Sequence, residues 1–146
     1  MAYMNGDHFS KYKILLVDDQ EDMLQMMTAS LRDFGITRVF TANEGDKALR
    51  IFNRSLSFID LVICDWNLPK KSGADILREI RLIRPDIPFL MVTGRCDMDS
   101  VFVAQKLGVT AYLSKPFSPT DFEKKVKMLI KKIPEQKKPQ SDMIKA

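Results

Sequence analysis

Residues 61–69, LVICDWNLP, contain the clearest structural signal in the chain. Four apolar residues, two of them β-branched, predict a strand that is buried on both faces of a parallel sheet. The Asn and Pro that follow cannot continue this strand, so Asp65 is predicted to lie at its carboxyl end. Ligands of open α/β sheets bind at the carboxyl ends of the strands. Asp65 is therefore the first candidate functional residue.

Length and composition indicate one soluble domain. The chain has 146 residues, of which 45% are hydrophobic and 29% charged, as is usual for a globular protein. No apolar run approaches the roughly 20 residues of a membrane span, and no signal peptide is recognisable, so a cytoplasmic protein is expected. Cys64 and Cys96 are far apart and form no C-x-x-C motif, which argues against a disulfide framework or a zinc site.

Strand and helix patterns alternate along the chain. Apolar runs predict five strands at Lys13–Val17, Arg38–Thr41, Leu61–Cys64, Ile87–Val92 and Ala111–Ser114. Apolar residues three and four positions apart predict a helix after each strand, on the faces Leu24/Met27/Leu31/Phe34, Ala48/Leu49/Phe52, Ile76/Leu77/Ile80/Ile83, Val101/Ala104/Leu107 and Phe122/Val126/Leu129/Ile133. This alternation predicts a doubly wound α/β fold with a five-stranded parallel sheet in the flavodoxin-like order 2-1-3-4-5.

Helix signals and composition set the expected boundaries. Gly35 and Gly108 are predicted to end the first and fourth helices. Ser118 as N-cap and Pro119 at the first helical position start the fifth helix, and Pro134 ends it. We expect a flexible lead over residues 1–11, a folded domain over 12–133, and a disordered tail or linker stub over 134–146.

Polar residues follow four of the predicted strands. Asp18 and Asp19 follow the first strand, Asp65 the third, Thr93 the fourth and Lys115 the fifth. In the predicted order the first and third strands are neighbours, so the three carboxylates should converge. Clustered carboxylates in a partly buried crevice are costly unless a cation or protons compensate, and an all-oxygen ligand set suits Mg²⁺. Alone, each residue has a simpler explanation: a helix cap for the acids, a surface position for Lys115, and a turn cap for Thr93.

Four motifs in order resemble the receiver domains of two-component response regulators, in particular the single-domain chemotaxis regulators. They are LVDD at 16–19, CDWNLP at 64–69 with Gly73 behind it, MVTG at 91–94, and YLSKPF at 112–117. The resemblance covers about residues 11–133. It departs from the chemotaxis regulators at Arg95, where they have an acidic residue, and this leaves the lifetime of a phosphorylated state open.

The resemblance implies a phosphoryl switch. Asp65 would accept a phosphoryl group from a sensor histidine kinase or a phosphotransfer protein, and the chain would hydrolyse its own aspartyl phosphate without being a turnover enzyme. The implied magnesium ligands are Asp18, Asp19, Asp65 and the backbone carbonyl of Asn67. Lys115 and Thr93 would bind the phosphoryl oxygens, and Tyr112 would be the aromatic switch residue, although it could also be ordinary core.

The implied output surface comprises the fourth helix, the fifth strand and the fifth helix. It would bind a downstream protein or form a phosphorylation-dependent dimer. We expect an acidic partner, because the exposed side of the fifth helix is predicted to carry Lys124, Lys125, Lys127, Lys131 and Lys132. No membrane contact and no direct contact with nucleic acid are expected of this domain.

Three other functions fit parts of the sequence. A flavodoxin-like cofactor binder is disfavoured because the first strand-to-helix turn, DDQED at 18–22, would repel a phosphate. A nucleic-acid binder is suggested by the basic C-terminal end, which has no recognition helix pattern or interleaved aromatics. A receiver fragment of a larger regulator with a DNA-binding or enzymatic output domain remains an alternative.

Overall fold

A computed structural model describes residues 9–54, 58–95 and 97–133 of the chain. Strands and helices alternate throughout this part. The strands are β1 (Lys13–Val17), β2 (Arg38–Ala42), β3 (Leu61–Cys64), β4 (Phe89–Thr93) and β5 (Ala111–Ser114). The helices are α1 (Glu21–Asp33), α2 (Gly45–Arg54), α3 (Gly73–Ile83), α4 (Met98–Lys106) and α5 (Pro119–Lys131).

All five strands are parallel and lie in the order β2-β1-β3-β4-β5. This confirms the predicted fold class and strand order. The β1–β3 register pairs Val17 with Cys64, so the residues that follow these two strands emerge side by side. The site predicted at the strand ends therefore has the sheet geometry that it requires.

Two hydrophobic clusters cover the two faces of the sheet. Along β1, Ile14 and Leu16 point into a cluster with α1 and α5, and Leu15 and Val17 point into a cluster with α2, α3 and α4. Because the side chains of a strand alternate between faces, a continuous apolar strand buries both of its sides. All four of these side chains are fully buried. Within the described ranges, no helix is long and apolar enough to cross a membrane.

Side-chain caps fix the starts of α3, α4 and α5, and the sequence predicts only the cap of α5. Ser118 accepts a hydrogen bond from the Asp121 N–H, with Pro119 at the helix start, as expected. Ser72 forms a capping box with Asp75 at the start of α3, and Asp97 caps α4. These caps hold the two helices that follow β3 and β4 in place.

Some predicted core positions are wrong. Ile83 is 45% exposed at the last position of α3, where the buried face of the helix ends. The predicted face of α4 does pack, but it is only partly buried, with Ala104 buried and Val101 and Leu107 half-buried. The strand predicted to begin at Ile87 begins at Phe89, since the intervening Pro88 lacks an N–H for the ladder.

The ends of the packed structure also differ from expectation. Phe9 was placed in the flexible lead, yet it is buried and its ring packs edge-on against Phe34. The fifth helix ends at Lys131 rather than at Pro134, which lies outside the described residues, and Ile133 is buried just beyond the helix. Lys127 was predicted on the exposed side of this helix. Instead its ammonium group lies over the Phe9 and Phe34 rings.

Candidate functional site

Three carboxylates meet at the carboxyl ends of β1 and β3. The backbone N–H of Asp65 donates to the Val17 carbonyl, and that of Asp18 donates to the Ala42 carbonyl, which fixes both residues at the sheet edge. Asp18 and Asp65 are buried and Asp19 is exposed. One oxygen from each of the three carboxylates lies within 4.8 Å of the others. The predicted convergence is therefore present in the structure.

Lys115 lies between two of these carboxylates. Its Nζ is 2.9 Å from Asp18 Oδ2 and 3.1 Å from Asp65 Oδ2. Burial would lower the pKa of Lys115, but its hydrogen bonds to the two carboxylates raise that pKa overall. The pKa of Asp18 is also raised, chiefly by burial and against the opposing effects of the Gln20 N–H and Lys115. One ammonium group therefore compensates only part of the negative charge.

Thr93 and Gly94 form the β4 side of the site. Thr93 is fully buried, its carbonyl accepts from the Lys115 N–H, and its hydroxyl oxygen accepts from the Arg95 N–H at 3.2 Å. Among the described residues, no atom other than those of its two chain neighbours lies within 4 Å of the place that a Cβ on Gly94 would occupy. A buried hydroxyl therefore borders an open approach to the carboxylates.

The loop after β3 folds back tightly beside Asp65. The Gly73 N–H donates to the Trp66 carbonyl at 2.7 Å, and a Cβ on Gly73 would lie 2.2 Å from the Asp65 carbonyl oxygen. Only glycine allows this approach of backbone to backbone. The Asn67 N–H donates to Asp65 Oδ1 at 3.3 Å, so Asn67 also borders the site.

Tyr112 lies farther along the sheet edge, on β5. Its ring is half-buried and packs against the cluster of α2, α3 and α4, and its hydroxyl donates to the Arg95 carbonyl. The ring is therefore neither free on the surface nor fully in the core. The hydrogen bond from the Tyr112 hydroxyl to this backbone carbonyl joins Tyr112 to the segment after Thr93.

One contact at the site has no signal in the sequence. The Arg95 guanidinium lies over the Trp66 ring, 5.0 Å from the ring centroid. Both residues line a cleft of about 350 Å³ that also includes Asp19, Asn67 and Ser72. The two residues are 29 positions apart, and a lone arginine in a loop gives no pattern that would identify its partner.

The donor set fits a hard divalent cation. Three carboxylates, one of them exposed, offer oxygen ligands on the solvent side of the cluster, and Mg²⁺ prefers oxygen ligands with some retained water. Asp18, Asp19 and Asp65 could hold such an ion, with Asn67 beside them. Lys115 forms ion pairs with Asp18 and Asp65 and, in the described part of the chain, none with Asp19.

Comparisons with known proteins agree with this geometry. A model of the "Response regulator receiver domain" family matches residues 14–127. The chain is 34% identical over 123 residues to "Chemotaxis protein CheY" of Pseudomonas aeruginosa, covering 83% of this chain and 98% of that protein. It is 31% identical to "Alkaline phosphatase synthesis transcriptional regulatory protein PhoP" of Bacillus subtilis, covering 82% of this chain and 49% of PhoP.

The chain is also similar to solved structures of receiver domains. The crystal structure of a response regulator receiver domain protein from Clostridium thermocellum is similar, with a TM-score of 0.77 and 38% sequence identity. That match covers 82% of this chain and 94% of the other.

Proposed function

The chain belongs to the response regulator receiver domain family, and on that basis we propose that it is a magnesium-dependent phosphoryl acceptor that switches a protein-binding surface. The observation that supports this most directly is the group of three carboxylates within 4.8 Å, two of them bridged by Lys115. This arrangement has a nucleophile, oxygen ligands for a cation and a fixed positive charge.

Asp65 is the proposed nucleophile. One of its carboxylate oxygens attacks the phosphorus of a phosphohistidine, the P–N bond breaks, and the histidine nitrogen keeps the electron pair and takes up a proton. The product is an aspartyl phosphate, which is hydrolysed when a water oxygen attacks the phosphorus and Asp65 leaves as a carboxylate. The donor would be a sensor histidine kinase or a phosphotransfer protein.

The neighbouring side chains supply charge and position. A bound Mg²⁺ would neutralise charge on the transferred group. Asp18, Asp19, Asp65 and the Asn67 carbonyl are its proposed ligands. Lys115, now 3.1 Å from Asp65, would pair with a phosphoryl oxygen, and the Thr93 hydroxyl would donate to another.

The proposed output is a population shift at the surface of α4, β5 and α5. If Thr93 is drawn toward the phosphoryl group, its hydroxyl would exchange the Arg95 N–H for a phosphoryl oxygen. Because the Tyr112 hydroxyl is hydrogen-bonded to the adjoining segment, the position of Tyr112 would change as well. The target would be a downstream protein with an acidic surface or a second phosphorylated copy. Lys124, Lys125, Lys131 and Lys132 remain the proposed contacts, without Lys127.

The lengths of the curated relatives bear on whether this chain acts alone or is part of a longer regulator. The chain spans 49% of the length of PhoP, a transcriptional regulatory protein, and 98% of the chemotaxis protein. The chain could thus act alone in the cytoplasm or be the receiver of a longer regulator with a DNA-binding or enzymatic output domain. The mass of the protein isolated from its own cells decides between the two.

Intact mass spectrometry tests the proposed chemistry. With a small acyl phosphate and Mg²⁺, the wild type should gain the mass of one phosphoryl group, which is removed in base. Asp65→Ala should gain none, whereas Asp33→Ala, which removes an exposed carboxylate elsewhere, should gain as much as the wild type. Equal incorporation in Asp65→Ala would place the acceptor at another residue.

A further inference from the structure

Arg95 contacts three residues of the site, Trp66, Thr93 and Tyr112. Its guanidinium lies over the Trp66 ring, its N–H donates to the Thr93 hydroxyl oxygen, and its carbonyl accepts from the Tyr112 hydroxyl. Trp66 directly follows Asp65 in the chain. One residue therefore connects the neighbour of the proposed phosphoacceptor with both of the proposed switch residues.

Trp66 is a fixed support for the arginine. It is 7% exposed, and its carbonyl accepts from the Gly73 N–H at 2.7 Å. An arginine above a tryptophan face is attracted to the negative side of the ring quadrupole, and tryptophan is the best aromatic partner for such a cation. The position of the guanidinium is thus set by a side chain that itself has little freedom.

The segment after β4 has few other anchors. In the described part of the chain, no atom beyond its two chain neighbours lies near the Cβ position of Gly94, Arg95 itself is exposed, and α4 buries only Ser100 and Ala104. In such a segment a single side-chain contact has a large effect on the backbone position. The location of the Arg95 carbonyl, and with it the Tyr112 hydrogen bond, depends on where the guanidinium is held.

We infer that Arg95 is a positioning residue of the switch: its stacking on Trp66 holds the segment that receives the Tyr112 hydroxyl, so that changes beside Asp65 reach Tyr112 through Arg95 as well as through Thr93. This inference rests on the proposed function, in which Tyr112 reports on Asp65. Arg95 acts through its contacts and takes no part in the transfer of the phosphoryl group.

Tyrosine-labelled NMR spectroscopy tests the contact without any phosphodonor. The chain has three tyrosines, so ¹³C-labelled rings give a simple spectrum, in which Tyr112→Phe identifies the Tyr112 signals. Arg95→Ala should displace these signals and leave those of Tyr12, which is buried in the opposite cluster, unchanged. Arg95→Lys should restore part of the wild-type position, because an ammonium group can also lie over the indole.

Two further variants separate this contact from a general loss of charge or packing. Arg78→Ala removes an exposed arginine that pairs with Asp75 in its own helix, and it should leave the Tyr112 signals unchanged. Trp66→Phe keeps a ring but weakens the cation contact, and adding it to Arg95→Ala should cause little further displacement, because both changes break one contact. Wild-type Tyr112 signals in Arg95→Ala, or additive effects of the two substitutions, would overturn the inference.

The same samples, treated with acyl phosphate and Mg²⁺, test the link to phosphorylation. At equal phosphoryl occupancy, measured by intact mass, the displacement of the Tyr112 signals should be at least halved in Arg95→Ala. An undiminished displacement would contradict the inference and leave the proposed function intact. If the wild type gains no mass, the proposed function fails, while the spectra without donor still decide whether Arg95 positions Tyr112.

Discussion

Individual charges in the carboxylate group determine how the fold responds to ions and to pH. Lys115 pairs with Asp18 and Asp65, yet burial still raises the pKa of Asp18. A carboxyl group with a raised pKa in the fold weakens the fold when it is ionised, and this penalty disappears as the pH falls through that pKa. At neutral pH the Asp18 carboxylate therefore carries a penalty, chiefly from burial and to a smaller extent from repulsion by Asp65, that a bound cation can relieve.

Asp65→Asn should stabilise the metal-free protein, because it removes one of three close negative charges while Lys115 keeps Asp18 as a partner. The expected gain is about 1 kcal/mol, the size of an interaction that shifts a pKa by one unit. Mg²⁺ should stabilise the wild type by mass action, by about 1.4 kcal/mol at ten times its dissociation constant, and the variant less. Thermal melts with and without Mg²⁺ measure both effects. A variant less stable than the metal-free wild type would count against stored repulsion at this site.

Lys115→Met should cost about 3 kcal/mol at pH 7, as expected when one partner of a buried ion pair is removed. The pKa of Lys115 is raised in the fold, so its stabilising effect is complete below the ordinary value of 10.5 and is lost as the pH rises through the raised value. The stability difference between wild type and variant should hence be constant up to about pH 10 and shrink above it. Urea unfolding across this range tests this, with exposed Lys47→Met as the control that shows no such trend.

Among the elements, the loop between β3 and α3 has the least tolerance for change. Its backbone passes so close to Asp65 that position 73 has no room for a side chain. The Ser72–Asp75 capping box then fixes the start of α3 immediately after this approach. The position of Asp65 thus depends on the loop that follows it as well as on its own strand.

Gly73→Ala should destabilise the fold by about 1–3 kcal/mol, as overpacking does, and should slow phosphoryl incorporation because Asp65 must move. Gly94→Ala is the matched control at the same site, since the added methyl group meets no atom within 4 Å. Its stability should remain within about 0.5 kcal/mol of the wild type. Urea unfolding and intact mass measure the two properties. Equal losses in both variants would mean that the Gly73 approach does not constrain the loop.

The accuracy of the sequence predictions followed the strength of local patterns. Continuous apolar runs located the strands, and polar residues at their ends located the carboxylate group, because parallel strands bring their carboxyl ends to one edge. The end of α3 was predicted poorly, since apolar periodicity alone does not show where a helix leaves the core. The Arg95–Trp66 contact had no local signal, because it depends on how two loops meet.

Across the whole molecule, α4 is held more lightly than α5, although both belong to the proposed output surface. α5 buries four residues against the sheet and α4 buries two, while Met98 and Phe102 of α4 are more than half exposed. A helix with few buried contacts can change position at a small cost in free energy. This favours α4 and its surroundings as the part that responds to the site.

Thr93→Ala should still accept a phosphoryl group on Asp65 but fail to alter the surface of α4, β5 and α5, because the hydroxyl that would follow the phosphoryl group is missing. Tyr112→Ala should likewise accept the group and change the surface response. NMR shift mapping with a phosphoryl mimic, together with intact mass, measures response and acceptance separately. Wild-type perturbations confined to the Asp65 pocket, without effect on Tyr112 or α5, would refute the proposed switch.

Binding of an acidic partner to the lysines of α5 should weaken with added salt, because salt screens the attraction between exposed charges.

Trp66 is the single tryptophan of the chain, and it lies beside Asp65 with a guanidinium over its ring. An indole is an intrinsic fluorophore whose emission depends on nearby charge and on water. The protein therefore has a built-in optical probe at the residue next to its proposed phosphoacceptor. Its emission should follow ion binding and phosphoryl transfer in real time in a stopped-flow instrument, without any label, and the rates obtained would belong to the unmodified protein.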